Sequence, residues 1–196
     1  MFIAVLDSCV LWPSTLRDFL LSLAIEQLYT PAWSSAILEE VQYNEAEKLK
    51  GRPQYVTVEE ADMRAARLVA NMQSAFPDAL TTGWEPLEGT FGLPDIDDEH
   101  ILAAAVMAGA GAIVTDNRKD FPADNLPYGI EVLSPQDFAR DTVSLNPYTA
   151  LKAIRAITAR SGRHGLALSE GALLNILQNR YHLTDAVSLL NEARST

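Results

Sequence analysis

The sequence predicts an α/β fold in which a parallel central sheet is flanked by helices in three layers, followed by an all-helical C-terminal extension. Short apolar runs at 2–6, 112–114 and 129–133 have the length of buried strands and are bounded by turn residues. They alternate with longer segments of helical periodicity, the order that builds right-handed crossovers and a parallel sheet. After Ser134-Pro135 only helical periodicity remains. The 196 residues suffice for one domain plus an appendage, given usual domain sizes of roughly 100–200 residues. The boundary is expected at 138, with residues 1–138 as the α/β domain and 139–196 as the extension.

Residues 2–6 are apolar and end at Asp7, a carboxylate at the C-terminal end of a buried strand. Pro13 opens a helix reaching about residue 27, with Leu16, Phe19, Leu20, Leu23 and Ala24 on one face. Thr30-Pro31 interrupts the chain before a second helix from Ser34 or Ser35 to about Leu49. A third helix spans 58–76, with Met63, Ala66, Leu68, Val69 and Met72 as its apolar residues, and ends at Pro77. Residues 78–94 read mostly as loop. Asp97 and Asp98 open a strongly apolar helix that stops at Gly109 and Gly111, with Asp97 as its cap. A strand at 112–114 runs into Thr115-Asp116-Asn117, and the last strand covers 129–133. The extension holds helices at about 136–142, 147–160, 169–180 and 183–194, with Gly162 and Gly165 marking a turn. Leu173, Leu174, Ile176, Leu177, Leu189 and Leu190 make this part too apolar to lie free in water.

Composition narrows the function. A lone cysteine, Cys9, excludes a disulfide framework and a thiolate metal cage, so a cytoplasmic location is expected and Cys9 reads as a packing residue. No apolar run reaches the roughly 20 residues that span a bilayer, and Asp7 cuts the opening apolar run too early for a signal peptide. His100, His164 and His182 lack zinc-ligand spacing, and no phosphate-binding glycine loop is present, so no nucleotide cofactor is expected. The net charge of −11 is unusual for a protein that binds nucleic acid. It is confined to residues 1–136, with 8 Lys and Arg against 21 Asp and Glu, whereas residues 137–196 hold 7 against 5. Carboxylates gathered for divalent cations would contribute to that surplus, because bound cations reverse the local field and turn an acidic pocket into a phosphate site.

Four fragments carry a family resemblance: Val5-Leu6-Asp7-Ser8-Cys9-Val10, Ile37-Leu38-Glu39-Glu40-Val41, Leu93 to Ala105 through Asp95-Ile96-Asp97-Asp98-Glu99-His100, and Ile113 to Phe121 through Thr115-Asp116-Asn117. With the closing Gly129 to Phe138, their order and spacing resemble the PIN-domain family, specifically toxins of the VapC type, over roughly residues 1–138. The resemblance implies a metal-dependent endoribonuclease that leaves 5′-phosphate products, with Mg²⁺ or Mn²⁺ held by Asp7 and Asp98 and the second family acid at Glu40. Such hard ions accept one or two carboxylates and keep waters and substrate phosphate in the remaining positions. Glu39 and Glu40 point about 100° apart on a helix, so only one readily faces a given site. Asp95 is a further candidate ligand. The fourth acid stays open among Asp116, the Asn117 position and Asp120; Asn117 brings no charge and puts a strong second metal site in doubt. Thr115 is expected to order that turn or a phosphate through its hydroxyl, while a plain Asx turn at Asp116 or Asn117 explains the same residues without chemistry. Ser8 is placed either to assist the metal shell or simply to turn the chain.

The resemblance also implies an RNA substrate, a cognate antitoxin protein and homodimerisation, with the chain as the toxin of a type II toxin–antitoxin system. Two rival classes also group acids in this way. A phosphoacceptor switch needs an Asp on a central strand, yet Asp62 falls inside a helical pattern. A non-catalytic fold that binds RNA or protein is the standing alternative, favoured by Asn117 and opposed by Asp7, Glu40 and Asp98 together. The extension is read either as an RNA-contacting element, through Arg155, Arg160 and Arg163, or as packing that shapes an antitoxin groove.

Overall fold

The computed structural model describes residues 1–52, 57–162 and 167–195. Their contacts divide the chain into two compact units. One comprises Phe2–Trp12 and Pro31–Val132, and the other Met1, Pro13–Thr30 and Leu133–Thr196. The helical unit is thus discontinuous in sequence, taking in a segment from the N-terminal region.

In the first unit, a four-stranded parallel sheet has the order β2-β1-β3-β4, with β1 at Ile3–Leu6, β2 at Thr30–Ala32, β3 at Ala112–Val114 and β4 at Glu131–Leu133. This is the α/β architecture expected, with helices flanking the sheet. The central pair β1 and β3 is joined in parallel register, Ala4 to Ala112, Val5 to Ile113 and Leu6 to Val114. All six of these side chains are fully buried, which is why both strands are uninterrupted apolar runs without alternation. Thr30-Pro31 reads by sequence as a chain break; Pro31 is compatible with a strand here because β2 lies at the sheet edge. Trp33 extends the pairing outside the named strands through a parallel bridge to Leu80, so residues 79–81 are not plain loop.

A short helix α1, Ser8–Leu11, follows β1 directly. Helix α3, Ser35–Lys50, is capped by the Ser34 hydroxyl accepting from the Ile37 amide at 3.1 Å, and α4, Val58–Ala75, by Thr57 accepting from the Glu60 amide. The two helices pack together through Ile37, Leu38, Val41, Ala46 and Leu49 on one side and Ala61, Ala65, Val69 and Met72 on the other. The expected apolar face of α4 is corrected here: Met63 is exposed, and small Ala61 and Ala65 supply the close approach. Helix α5, Glu99–Ala108, ends at Gly109 in the left-handed conformation (φ 60°), as the sequence suggested.

The second unit gathers α2, Ser14–Ile25, with α6, Pro135–Leu145, α7, Pro147–Arg160, α8, Glu170–Tyr181, and α9, Thr184–Ser195. Leu20, Leu23, Val143, Leu151, Ile154, Leu173, Leu177 and Leu190 are among its core residues. Tyr29 meets Phe138 edge to face at 4.8 Å and donates its hydroxyl to the Leu20 carbonyl, so a large buried aromatic has its polar end satisfied. Ser134, Asn146 and Ser169 cap α6, α7 and α8. Of the arginines considered for RNA, Arg155 pairs with Glu170 at 3.5 Å and Arg160 donates to the Ser22 hydroxyl at 2.7 Å. Arg163, His164 and Gly165 lie outside the described residues.

Candidate active site

The sheet register builds the site's centre. Because Leu6 sits beside Val114, the next residues, Asp7 and Thr115, also fall side by side where two parallel strands end, the place where α/β sheets form their sites. The Asp7 amide donates to the Val114 carbonyl at 3.1 Å. The fully buried Thr115 hydroxyl donates to Asp7 Oδ2 at 2.6 Å and accepts from the Asn117 amide at 3.0 Å. The turn after β3 is therefore closed by Thr115 rather than by an Asx turn at Asp116 or Asn117. Asp7 occupies the N-cap position of α1 without spending its side chain on the cap.

Cys9 is more than packing. Its thiol donates to the same Asp7 oxygen at 3.0 Å, and its sulfur accepts from the Asp116 amide at 3.4 Å. Burial, then the charge of Asp7, push the thiol's pKa far up, so it stays protonated and serves as a donor. Two donors on Oδ2 fix the carboxylate's rotation. Thr115→Val keeps the shape and removes the hydroxyl. It is expected to weaken divalent-ion affinity about 10–100-fold, the usual effect of losing a group that orients a ligand, and to cost about 1–3 kcal/mol through the orphaned Asn117 amide. Manganese calorimetry and urea unfolding would measure both; unchanged ion affinity would show that Thr115 only closes the turn.

Asp98 comes from the segment that leads into α5. Residues Ile96–Asp98 form a short 3₁₀ turn leading into α5, and Asp95, not Asp97, caps it by accepting from the Asp97 amide at 3.0 Å. That correction matters, because Asp98 makes no side-chain cap bond and its Oδ2 is buried with no hydrogen-bond partner. Burial first, then the charges of Asp7, Asp120 and Asp95, raise its pKa from 3.8 to about 6. Asp116 is raised too, by burial and by Asp7. Asp7, Asp95, Asp98, Asp116 and Asp120 thus share one electrostatic neighbourhood.

Glu40 is attached to this neighbourhood by a residue that acid spacing did not single out. His100, two positions after Asp98, places Nε2 3.0 Å from Glu40 Oε1. Burial disfavours the charge on Glu40, but hydrogen bonds from His100 and Ser8 outweigh it and hold the carboxyl below the usual glutamate range. On His100 burial opposes protonation, while Glu40, then Asp7 and Glu88, raise its pKa overall. Glu39 points elsewhere, lining a groove with Gln42, Tyr43 and Lys50. The signal that could have found His100 is its position on the same apolar helix as Asp98, where a polar side chain at 5% exposure requires a partner.

Among the described residues, no three His, Cys, Asp or Glu side chains form a ready-made metal cage. The donor set fits a different kind of binding. A buried carboxylate oxygen without a partner, surrounded by like charges, is stabilised by a cation, and a hydrated Mg²⁺ or Mn²⁺ needs only one or two direct carboxylates. Asp7 and Asp98 could hold such an ion, with Glu40, Asp95 and Asp116 as further candidate ligands.

The PIN domain profile matches residues 4–119, more than half of the chain, so the chain belongs to that family, and its parallel sheet flanked by helices agrees with it. A Mycobacterium tuberculosis (strain ATCC 25618 / H37Rv) protein named "Putative ribonuclease VapC50" is 42% identical over 78 residues, which cover 35% of this chain and 43% of that relative. The chain therefore aligns with less than half the length of the curated relative it matches. No solved structure gives a significant match.

Proposed function

We propose that the chain is a metal-dependent endoribonuclease, the VapC-type toxin of a type II toxin–antitoxin pair, working with Mg²⁺ or Mn²⁺ in the cytoplasm. The observation that carries this reading is the unpartnered, buried Asp98 oxygen among Asp7, Asp95 and Asp120, held at a pKa that a bound cation would lower. The ion, when bound, supplies acidity to water and neutralises charge on the phosphodiester. The chain's own groups do the rest. Thr115 and Cys9 fix Asp7 for the ion, and Glu40 accepts a proton from the attacking water. Water adds to phosphorus, the bond to the 3′-oxygen breaks, that oxygen takes a proton from solvent water, and the products are a 3′-hydroxyl and a 5′-phosphate. Membership of the family and the likeness to a named ribonuclease support RNA as substrate. An antitoxin and a second copy of the chain are the partners expected with this role. No helix among the described residues is long and apolar enough to cross a membrane.

The test is cleavage of end-labelled RNA by the purified chain with Mn²⁺, with and without EDTA. Cleavage that yields 5′-phosphate ends and stops on chelation supports the proposal. RNA retention without any cleavage, in the presence of Mn²⁺, would support the non-catalytic binding module instead.

A further inference from the structure

We infer that His100 is a positioning residue for the proposed hydrolysis: its buried imidazole fixes the Glu40 carboxylate at the acid cluster, tying α3 to α5. The inference rests on the nuclease reading above. Its observations are separate from those that carry that reading.

Glu40 is half-buried on α3, with 42% of its side chain exposed, so hydrogen bonds have a larger share in setting its rotamer than at a fully buried position. The fixing comes from His100, whose side chain is only 6% exposed and whose Nε2 lies 3.0 Å from Glu40 Oε1. The imidazole is held in turn by Trp84, the rings meeting at 6.1 Å and 61°. Its other nitrogen, Nδ1, is buried without a partner. A buried histidine serving only the core would be expected to satisfy both nitrogens or give way to an apolar ring. Here the ring's hydrogen bonding is directed at a half-exposed carboxylate and the opposite nitrogen is left unsatisfied, which is the pattern of a residue retained for that one bond.

The chemical consequence follows from the carboxylate's capacity. Glu40 offers about four acceptor positions; His100 and Ser8 take two, which sets the plane of the group and leaves the others for water. His100 also lies two residues after Asp98 on the start of the same helix. One short segment therefore delivers both a ligand of the ion and the group that aims the second acid, so the two are set together when α5 docks.

The test uses His100→Phe, which keeps a ring against Trp84 and removes the donor, and His100→Gln, whose amide restores a donor at similar reach. With Mn²⁺ and RNA, His100→Phe is expected to lose about 10–100-fold in kcat with KM within about 2-fold, and His100→Gln to recover to within about 5-fold of wild type. In the metal-free wild type, an NMR signal from a slowly exchanging His100 Nε2–H is expected, and it should broaden away in Glu40→Ala. Full kcat in His100→Phe overturns the inference, as does an Nε2–H signal indifferent to Glu40→Ala. A His100→Gln variant that folds like wild type yet is as slow as His100→Phe also overturns it. If the wild type cleaves RNA and His100→Phe cleaves equally well, only the role of His100 falls; if the wild type neither binds Mn²⁺ nor cleaves RNA, the nuclease reading falls and takes this inference with it.

Discussion

Asp98→Asn is expected to abolish RNA cleavage and, at the same time, to make the metal-free protein more stable. The two effects have one cause. Asp98 carries a folded-state pKa of about 6 against an ordinary 3.8, through burial and the nearby Asp7, Asp120 and Asp95. The folded chain therefore binds that proton more tightly than the unfolded chain. No penalty exists below about pH 4, it grows between about pH 4 and 6, and it is complete at pH 7. Removing the charge should return about 1 kcal/mol, after discounting for solvent screening of a partly exposed group, or roughly 2–4 °C in melting temperature for a chain of this size. Divalent cations should stabilise the wild type more than the variant, since a ligand raises stability in proportion to its affinity for the folded form. Cleavage should fall by at least about 100-fold. Asp7→Asn is expected to lose cleavage equally. A variant at Asp98 that melts lower than wild type without metal, or that still cleaves, contradicts this account of the acid cluster.

The second large effect concerns Glu99, beside Asp98 yet with a different job. Its carboxylate is 2% exposed and accepts from the amides of Phe91 at 3.1 Å, Gly92 at 2.6 Å and Leu93 at 3.0 Å. Asn125 holds the same stretch from its carbonyls, donating to Phe91 and Gly92. Burial pulls the Glu99 pKa up, but the amides win and hold it below 4.5. The stabilisation is thus present above about pH 4.5 and is lost as pH falls through the lower folded value. Glu99→Ala leaves three amides without their acceptor and should cost about 2–4 kcal/mol, because hydrogen bonds to a charged group are among the stronger ones and orphaned donors carry their own penalty. Residues 89–93 should become cleavable by protease, and activity should drop because this stretch leads directly into Asp95 and Asp98. Urea unfolding with limited proteolysis would check it; stability within about 0.5 kcal/mol of wild type, the range of an ordinary surface change, would contradict the assignment.

Much of this arrangement was legible in the chain itself, for identifiable reasons. Strands β1 and β3 are buried on both faces, so their sequences are bare apolar runs, and the residues just past them, Asp7 and Thr115, announce the strand ends. Helix α3 reveals itself through its Ser34 cap, and α5 through its apolar content and its glycine C-cap. What stayed hidden depended on partners distant in sequence. Pro31 reads locally as a breaker, and only the edge position of β2 makes it acceptable. Asp97 reads as the cap by sequence, and the backbone alone decides that Asp95 takes the Asp97 amide instead. Cys9 and His100 look like ordinary members of apolar segments until folding sets them against Asp7 and Glu40. Likewise the C-terminal helices advertise their apolar faces, but nothing local says that α2 shares their core.

The central claim, that Asp7 and Asp98 hold a divalent cation between them, is met most directly by titrating Mn²⁺ calorimetrically into the metal-free wild type, Asp7→Asn and Asp98→Asn. Saturable binding to the wild type, weakened at least about 10-fold in each variant, is the result expected. Equal affinity in all three proteins, with RNA cleavage persisting in EDTA, would contradict it.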